Sequence, residues 1–186
     1  MKITEAEKED AMLIGRVVVD AIGPELAAEF AAGRPVSEVV DFFSSLAARE
    51  DSQYSYRNAL KAVADDGAPM GFIVAYDGAR LHQLRNAFFE EAKKRLGYDM
   101  EGQMADETDP TEFYLDSLAV FPEYRGQGVA TALIGAMSNR ATKPLGLLCD
   151  KNNSRARRLY ESLGFRRIGD RPFAGEVMDH LQRPSE

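Results

Sequence analysis

The first fifty residues alternate apolar and charged positions in a way that predicts a strand and two helices. A strand over 1–4 precedes apolar residues that recur at helical spacing from about Asp10, and Gly23-Pro24 is expected to end this helix. A second helix is predicted from about Pro35, since proline suits a first helical turn. Its apolar stripe is expected to pack on a sheet and consists of Val36, Val39, Val40, Phe43 and Ala47.

Two strands and an insertion are predicted next. Residues 58–64 and 70–76 indicate antiparallel neighbours joined at the turn dipeptide Asp66-Gly67. Residues 78–110 are interpreted as an insertion whose second half is acidic and irregular. In its first half, the apolar residues on one helical face before the stop at Gly97 are Leu81, Leu84, Phe88, Ala92 and Leu96.

The second half of the chain predicts a strand-helix-strand unit and further elements. In order, these are strand 112–120, helix 128–140, strand 145–149, helix 153–163 and strands near 165–168 and 173–178. Antiparallel strands early and a parallel unit late imply a mixed sheet with helices on both faces. The fold class is therefore α/β, or α+β.

Composition and net charge argue against several classes of partner and site. The 186 residues correspond to about one domain, and 45% hydrophobic with 28% charged residues allows a buried core. A net charge of -7 repels polyanions, so nucleic acid is not an expected partner. One cysteine and two histidines exclude an intramolecular disulfide and a Cys/His zinc cage, so no metal is expected, and they favour the reducing cytoplasm. No signal peptide or membrane-spanning run is predicted, hence no membrane partner.

The glycine-containing turn between strand 112–120 and helix 128–140 has the properties of an anion site. Gly126 and Gly128 permit a sharp turn, and the unpaired N–H groups and dipole of a helix start suit a pyrophosphate. The spacing matches neither the dinucleotide-fold nor the P-loop pattern. Taken alone, this turn is equally consistent with a purely structural role.

Two motifs together resemble a known family. Arg125-x-x-Gly128-x-Ala130, preceded by Leu118-Ala119-Val120, is followed one strand later by Asn153-x-x-Ala156-x-x-Leu159-Tyr160-x-x-Leu163-Gly164-Phe165. In this order and spacing they resemble the GNAT superfamily of N-acetyltransferases, over about residues 114–165. The resemblance implies a single acetyltransferase domain over 1–186 with a mostly antiparallel central sheet. It also implies a cofactor-binding core at about 112–168, with the insertion between the third and fourth strands.

The resemblance further implies where acetyl-CoA binds. The strand ending at Val120 is expected to carry a bulge and to diverge from the strand ending at Cys149, and the apolar phase slips at Asp116-Ser117. The pantetheine arm would lie between these strands and the pyrophosphate on the backbone that follows. The residues implied to bind the cofactor are Leu118, Ala119, Val120, Arg125, Gly126, Gln127, Gly128, Val129, Ala130, Thr131, Asn153 and Tyr160.

Acetyl transfer to an amine defines the catalytic candidates. An alkylammonium with a pKa of about 10.4 must lose a proton before it attacks at neutral pH, and Asp116 and Glu112 are the candidate bases. The alternatives are a structural or substrate-orienting role for Asp116 and a position that only flanks the strand for Glu112. Tyr160 matches the family's general acid, and a packing role with the hydroxyl on a backbone partner is the alternative. Cys149 is predicted to be a small buried side chain. The two histidines, His82 and His180, receive no role.

The resulting hypothesis is a cytoplasmic N-acetyltransferase that moves the acetyl group of acetyl-CoA directly to a primary amine, with a small molecule favoured because the insertion restricts access. The alternatives are acetylation of a protein N-terminus or lysine, transfer of a longer acyl group, and a non-catalytic acyl-CoA-binding or sensing module. A homodimer through a sheet edge is compatible with the sequence. One run of acidic residues either attracts a cationic amine or forms a solvated loop: Glu101, Asp106, Glu107, Asp109 and Glu112.

Overall fold

Seven strands form one mixed sheet in the computed structural model, which describes residues 1–184. Ser185 and Glu186, the end of the predicted domain, lie outside the described residues. The strands are β1 Lys2–Glu5, β2 Ala59–Val63, β3 Pro69–Asp77, β4 Phe113–Val120, β5 Leu145–Cys149, β6 Arg166–Phe173 and β7 Glu176–Arg183. Their order across the sheet is β1-β2-β3-β4-β5-β7-β6, and every neighbouring pair is antiparallel except β4–β5. The predicted mixed, mostly antiparallel sheet is confirmed.

The helices of the described residues are α1 Ala11–Ala31, α2 Val36–Ala47, α3 Leu81–Glu91, α4 Val129–Arg140 and α5 Ser154–Ser162. Gly23, with φ of +84°, ends the first helical segment of α1 as predicted, and a second segment that begins at Pro24 continues across this kink to Ala31. None of these helices has the length and apolar character that a membrane span requires.

The helices cover both faces of the sheet, as predicted. On one face α1, α2 and α3 pack on Phe72 and Val74 of β3. On the other face α4 packs on Ile73 of β3 and Leu147 of β5, with α5 beside it. Neighbouring residues of one strand thus serve two separate cores, because successive side chains of a strand point to opposite faces.

The insertion begins with the predicted helix. α3 continues through a π-helical turn, Ala92–Leu96, to Gly97, whose φ is +73°. All five apolar residues of its predicted face are buried. Phe88 joins an aromatic cluster with Phe42 and Phe43 of α2, at ring-centroid distances of 5.4 and 6.4 Å. The insertion is therefore anchored in the main core on the α2 side of the sheet.

The C-terminal hairpin differs from the prediction. The chain turns at Ala174 and Gly175, whose φ values are +48° and +81°, inside the strand predicted at 173–178. A two-residue hairpin turn needs positive φ at its central positions, so the glycine at 175 was the turn signal. β7 consequently runs to Arg183 and pairs with β5.

Strands β4 and β5 pair only where they begin. Phe113 lies opposite Leu145 and Tyr114 opposite Gly146, and the remainder of β4 has no pairing with β5. On its other side β4 carries a bulge: Val74 and Ala75 of β3 face Ser117 and Leu115, which leaves Asp116 unpaired. The predicted bulge is therefore at Asp116, and a slot opens between β4 and β5 beyond residue 114.

Candidate active site

A run of free backbone donors follows β4. No N–H group from Gly126 to Thr131 has an acceptor within residues 1–184, and the first helical hydrogen bond of α4 runs from Ala132 N to Gly128 O at 3.0 Å. We call the backbone from 126 to 131 the cradle. Its six donors and the positive end of the α4 dipole together suit an anion.

The two glycines of the cradle are required by backbone angles. Gly126 and Gly128 have φ of +76° and +77°, and a Cβ added at either would meet no protein atom within 4 Å. The space in front of the turn is thus open. Around it, Arg125 Nε donates to Val120 O at 3.0 Å and Gln127 Nε2 to Glu123 O at 3.0 Å. Both side chains fold back on the turn and leave the backbone N–H groups exposed to a ligand.

The other predicted cofactor residues lie at the end of β4 and on or next to α5. Leu118, Ala119 and Val120 are half-buried and pair with β3 but not with β5. Asn153 caps α5, since its Oδ1 accepts from Ala156 N at 3.0 Å, and its amide NH2 remains a donor. Cys149, at the end of β5, is buried as predicted, and burial raises the pKa of its thiol.

Tyr160 lies half-buried on α5, with its ring 5.7 Å from that of Phe165. Burial, with a smaller contribution from Cys149, raises the pKa of Tyr160 to about 12. Its hydroxyl has no hydrogen-bond partner in the part of the chain that the structure describes. The backbone partner that a pure packing role calls for is therefore absent from these residues.

Asp116 occupies the bulge of β4 and is half-buried. Its carboxylate accepts from Ser117 Oγ at 2.8 Å and from Gln53 Nε2 at 3.4 Å. Burial and the nearby charge of Glu107 raise the pKa of Asp116 to about 7. A carboxyl group with this pKa exchanges protons readily at neutral pH, as a general base must.

A polar network that sequence reasoning missed surrounds Asp116 on the α3 side. Glu107 is buried and accepts from Arg85, from Tyr76 Oη at 3.1 Å and from Gln53 Nε2 at 3.2 Å. Burial and the negative charges of Asp116 and Glu107 raise the pKa values of three tyrosines well above 10: Tyr54, Tyr76 and Tyr114. Only the acidic run signalled Glu107 in the sequence, and no motif signalled its partners.

Glu112 occupies a different place from Asp116. It is fully buried at the closed end of the slot and accepts from Thr108 Oγ1 at 2.7 Å and Gln182 Nε2 at 3.2 Å, with His180 Nε2 at 2.8 Å from its carboxylate. His180, which received no role, thus helps to hold it. Three partners thus hold the Glu112 carboxylate in place, and its role as a base stays a prediction.

A methyl group at position 146 is expected to disturb this arrangement. Gly146 lies directly beneath the Glu112 carboxylate, and an added Cβ would overlap it. Gly146→Ala is therefore expected to lower the free energy of unfolding by about 1–3 kcal/mol, measured by urea denaturation. Gly135→Ala is the control, since an added Cβ there meets no atom within 4 Å. Equal stability of Gly146→Ala and wild type would contradict the overlap.

The acidic run of the insertion divides among several partners. Asp106 pairs with Arg85 at 3.1 Å, and Asp109 with Arg171 at 2.7 Å. Glu101 is exposed, and Glu107 joins the network at Asp116. Most members of the run thus have separate structural partners, and attraction of a cationic amine stays a prediction.

With this geometry in hand, comparison with known proteins identifies the family. The acetyltransferase (GNAT) family matches residues 20–165, which include both the cradle and Tyr160. This chain belongs to the GNAT family.

Relatives and solved structures agree with the GNAT assignment. An acetyltransferase crystal structure is 26% identical, covers all of both chains and has a TM-score of 0.79. The N-acetyltransferase of Staphylococcus aureus Mu50 is 23% identical over 98% of this chain and 100% of its own, with a TM-score of 0.82, and shows the same fold. N-alpha-acetyltransferase 30 of Schizosaccharomyces pombe is 43% identical over 56 residues, which are 28% of this chain. The first curated relatives are matched over only 18% and 37% of their own lengths.

Proposed function

We propose that this protein transfers the acetyl group of acetyl-CoA directly to a primary amine. The observation that carries the proposal is the continuity of β4 with the cradle: one strand presents Asp116 at its bulge and leads at its end into six free N–H groups. Membership in the GNAT family, whose enzymes use acetyl-CoA, supports this cosubstrate. The acceptor class and the residue roles are part of the proposal.

The residues present fit acetyl-CoA. The cradle offers its free donors and open space to the pyrophosphate. The unpaired edge of β4 from Leu118 to Val120 offers amide groups to the pantetheine arm, and the free NH2 of Asn153 offers one more donor. Bound acetyl-CoA supplies an acetyl group activated as a thioester.

The chain's own groups handle the protons. Asp116 takes one proton from the ammonium, which leaves a neutral amine able to form the C–N bond as the C–S bond breaks. The nitrogen loses a second proton to solvent, and the sulfur leaves as a thiolate that takes up a proton from solvent. The proton on Asp116 also returns to solvent. Burial raises the pKa of the Tyr160 phenol to about 12, so the hydroxyl is protonated at neutral pH. This hydroxyl donates a hydrogen bond to the departing sulfur.

Tyr160→Phe tests this role. Removing the hydroxyl is expected to lower kcat by about 10- to 30-fold, since a hydrogen bond to a charged partner is lost, with Kd for acetyl-CoA unchanged. Stopped-flow thiol release and calorimetry measure the two quantities. The control is Tyr124→Phe, a half-buried tyrosine next to the cradle. An unchanged kcat in Tyr160→Phe would assign Tyr160 to packing alone.

A small molecule is the acceptor that the surroundings of Asp116 favour. Asp116 lies half-buried beside Gln53 of the α2–β2 connection, which also contacts Glu107 of the insertion, so an acceptor must fit a confined space. Partial similarity to an N-alpha-acetyltransferase favours a protein N-terminus as the second candidate.

A panel assay tests the proposed function. Thiol release and product mass are measured with acetyl-CoA and with alkylamines, short peptides with free N-termini, and lysine peptides whose N-termini are blocked. Acetylation of alkylamines above the rate without amine is the expected result. Faster acetylation of peptides would favour the second candidate. Saturable acetyl-CoA binding without any acetylated amine would contradict catalysis and favour a binding module.

A further inference from the structure

Gln53 bridges the insertion and the bulge of β4. It is 3% exposed, and its Nε2 donates to Glu107 Oε1 at 3.2 Å and to Asp116 Oδ2 at 3.4 Å. Both neighbours of the amide nitrogen are carboxylates, which accept and do not donate when ionised, so the NH2 group must face them. The orientation of the side chain is thus fixed by its two partners.

This orientation leaves the other half of the amide unsatisfied. Gln53 Oε1 is buried and has no hydrogen-bond partner in the described residues. A buried polar atom without a partner lowers stability, and proteins tend to keep such local violations at functional sites. Gln53 therefore lacks one hydrogen bond, at Oε1, while its Nε2 binds the carboxylates of Glu107 in the insertion and Asp116 in β4.

Glu107 is itself rigidly held. Arg85 is 2% exposed and binds both Glu107 and Asp106, and it also donates to Ala105 O at 3.2 Å. Tyr76 of β3 donates to the same Glu107 oxygen as Gln53. Residues of α3 and β3 thus fix the position of Glu107. Gln53 is the side chain that connects Glu107 to Asp116.

We propose that Glu107 and Gln53 are positioning residues for acetyl transfer: the insertion fixes Glu107, and Gln53 transmits its position and charge to Asp116. The inference rests on the proposed function, because it concerns the base of that reaction, and it gives the insertion a catalytic purpose. The charged and titratable groups around Asp116 are Glu107, Arg85, Tyr54, Tyr76 and Tyr114. Among these, Glu107 acts to keep Asp116 protonated, whereas Arg85 and the Gln53 N–H group favour its ionised form.

Two substitutions are expected to move the acid limb of kcat/KM in opposite directions. Glu107→Gln removes a negative charge near Asp116, which makes its proton easier to lose, so the midpoint moves to lower pH by about half to one pH unit. Gln53→Met removes a donor to the carboxylate, so the midpoint moves to higher pH. Gln53→Met is also expected to lower kcat by about 10-fold, with KM for acetyl-CoA unchanged.

Asp106→Asn is the matched control. Asp106 is also acidic, lies next to Glu107 and binds Arg85, but has no contact with Gln53 or Asp116. Its midpoint is expected to equal that of wild type. Thermal unfolding of each variant checks that all are folded at the assay temperature. Gln53→Asn keeps the amide group but shortens the side chain, so it is not expected to restore the wild-type midpoint. It therefore tests whether the length of the side chain matters as well as its amide group.

A readout that needs no acceptor separates this inference from the proposed function. The carboxyl carbon of Asp116 is titrated by NMR in wild type, Glu107→Gln, Gln53→Met and Asp106→Asn. Opposite shifts in the first two variants support the network, even if no amine is acetylated. Equal midpoints in all four proteins, or a shift in Asp106→Asn as large as in Glu107→Gln, would overturn it, even if amines are acetylated.

Discussion

Asp116→Asn is expected to lower kcat/KM for the amine by about 100- to 1,000-fold at pH 8, with Kd for acetyl-CoA unchanged. The amide cannot accept the ammonium proton, whereas the wild-type carboxylate is ionised above its pKa of about 7. Wild-type kcat/KM should therefore rise with pH to a plateau above 7, and this acid limb should vanish in the variant. Initial rates of thiol release between pH 5.5 and 9 measure both effects.

The same substitution should stabilise the protein increasingly as the pH rises from 4 to 7, and the gain should persist above pH 7. The folded state raises the pKa of Asp116 from 3.8 to about 7, mainly through burial. Because the folded state favours the protonated form of Asp116, its contribution to the free energy of unfolding is fully present below pH 3.8. This contribution is lost as the pH rises toward 7. Asp116→Asn should therefore gain free energy of unfolding relative to wild type between pH 4 and 7, on the order of 1 kcal/mol or more.

Glu112→Gln provides the comparison for the base. Glu112 is buried among Thr108, His180 and Gln182, so its substitution should lower stability and keep the acid limb. Loss of the limb in Glu112→Gln together with its persistence in Asp116→Asn would reverse the assignment of the base.

Gly128→Glu is expected to weaken acetyl-CoA binding by at least about 100-fold. The new side chain places a carboxylate where the pyrophosphate is proposed to lie and forces a non-glycine residue into φ of +77°. Calorimetric titration with acetyl-CoA measures the loss, and circular dichroism checks the fold.

Two substitutions at Thr131 test the cradle without the backbone strain that Gly128→Glu introduces. Thr131 is exposed in the first turn of α4, where a carboxylate stabilises a helix. Thr131→Glu should therefore fold at least as well as wild type but bind acetyl-CoA about 10-fold more weakly. Thr131→Gln, equal in size and neutral, should bind nearly as wild type. Equal affinities of these two variants would show that no anion lies at the cradle.

Local patterns predicted the parts of the fold that depend on local physics. The phase slip at Asp116-Ser117 located the bulge, and the glycines at 126 and 128 located the cradle, because both follow from strand periodicity and backbone angles. The predicted position of the last strand was wrong because the prediction continued the strand across Gly175, which is a turn residue. The predicted compartment and homodimer stay predictions.

The polar network at Asp116 could not be predicted from the sequence, because its members are far apart along the chain. Gln53, Glu107 and Asp116 lie 54 and 63 positions apart along the chain and meet only because α3 packs on α2 and β4 pairs with β3. Nothing in the spacing of single polar residues signals such a meeting. Glu112 shows the same limit: its spacing placed it beside β4 but did not reveal its burial at the closed end of the slot, and its role as a base stays a prediction.

The most direct test of the central claim is an NMR titration of the 15N-labelled protein with CoA, following backbone amides. The account predicts that the largest shifts, moving downfield as hydrogen bonds form, belong to the cradle amides of Gly126, Gln127, Gly128, Val129, Ala130 and Thr131, which are free in the structure. Saturable binding that leaves these six amides unshifted would place CoA elsewhere and contradict the account.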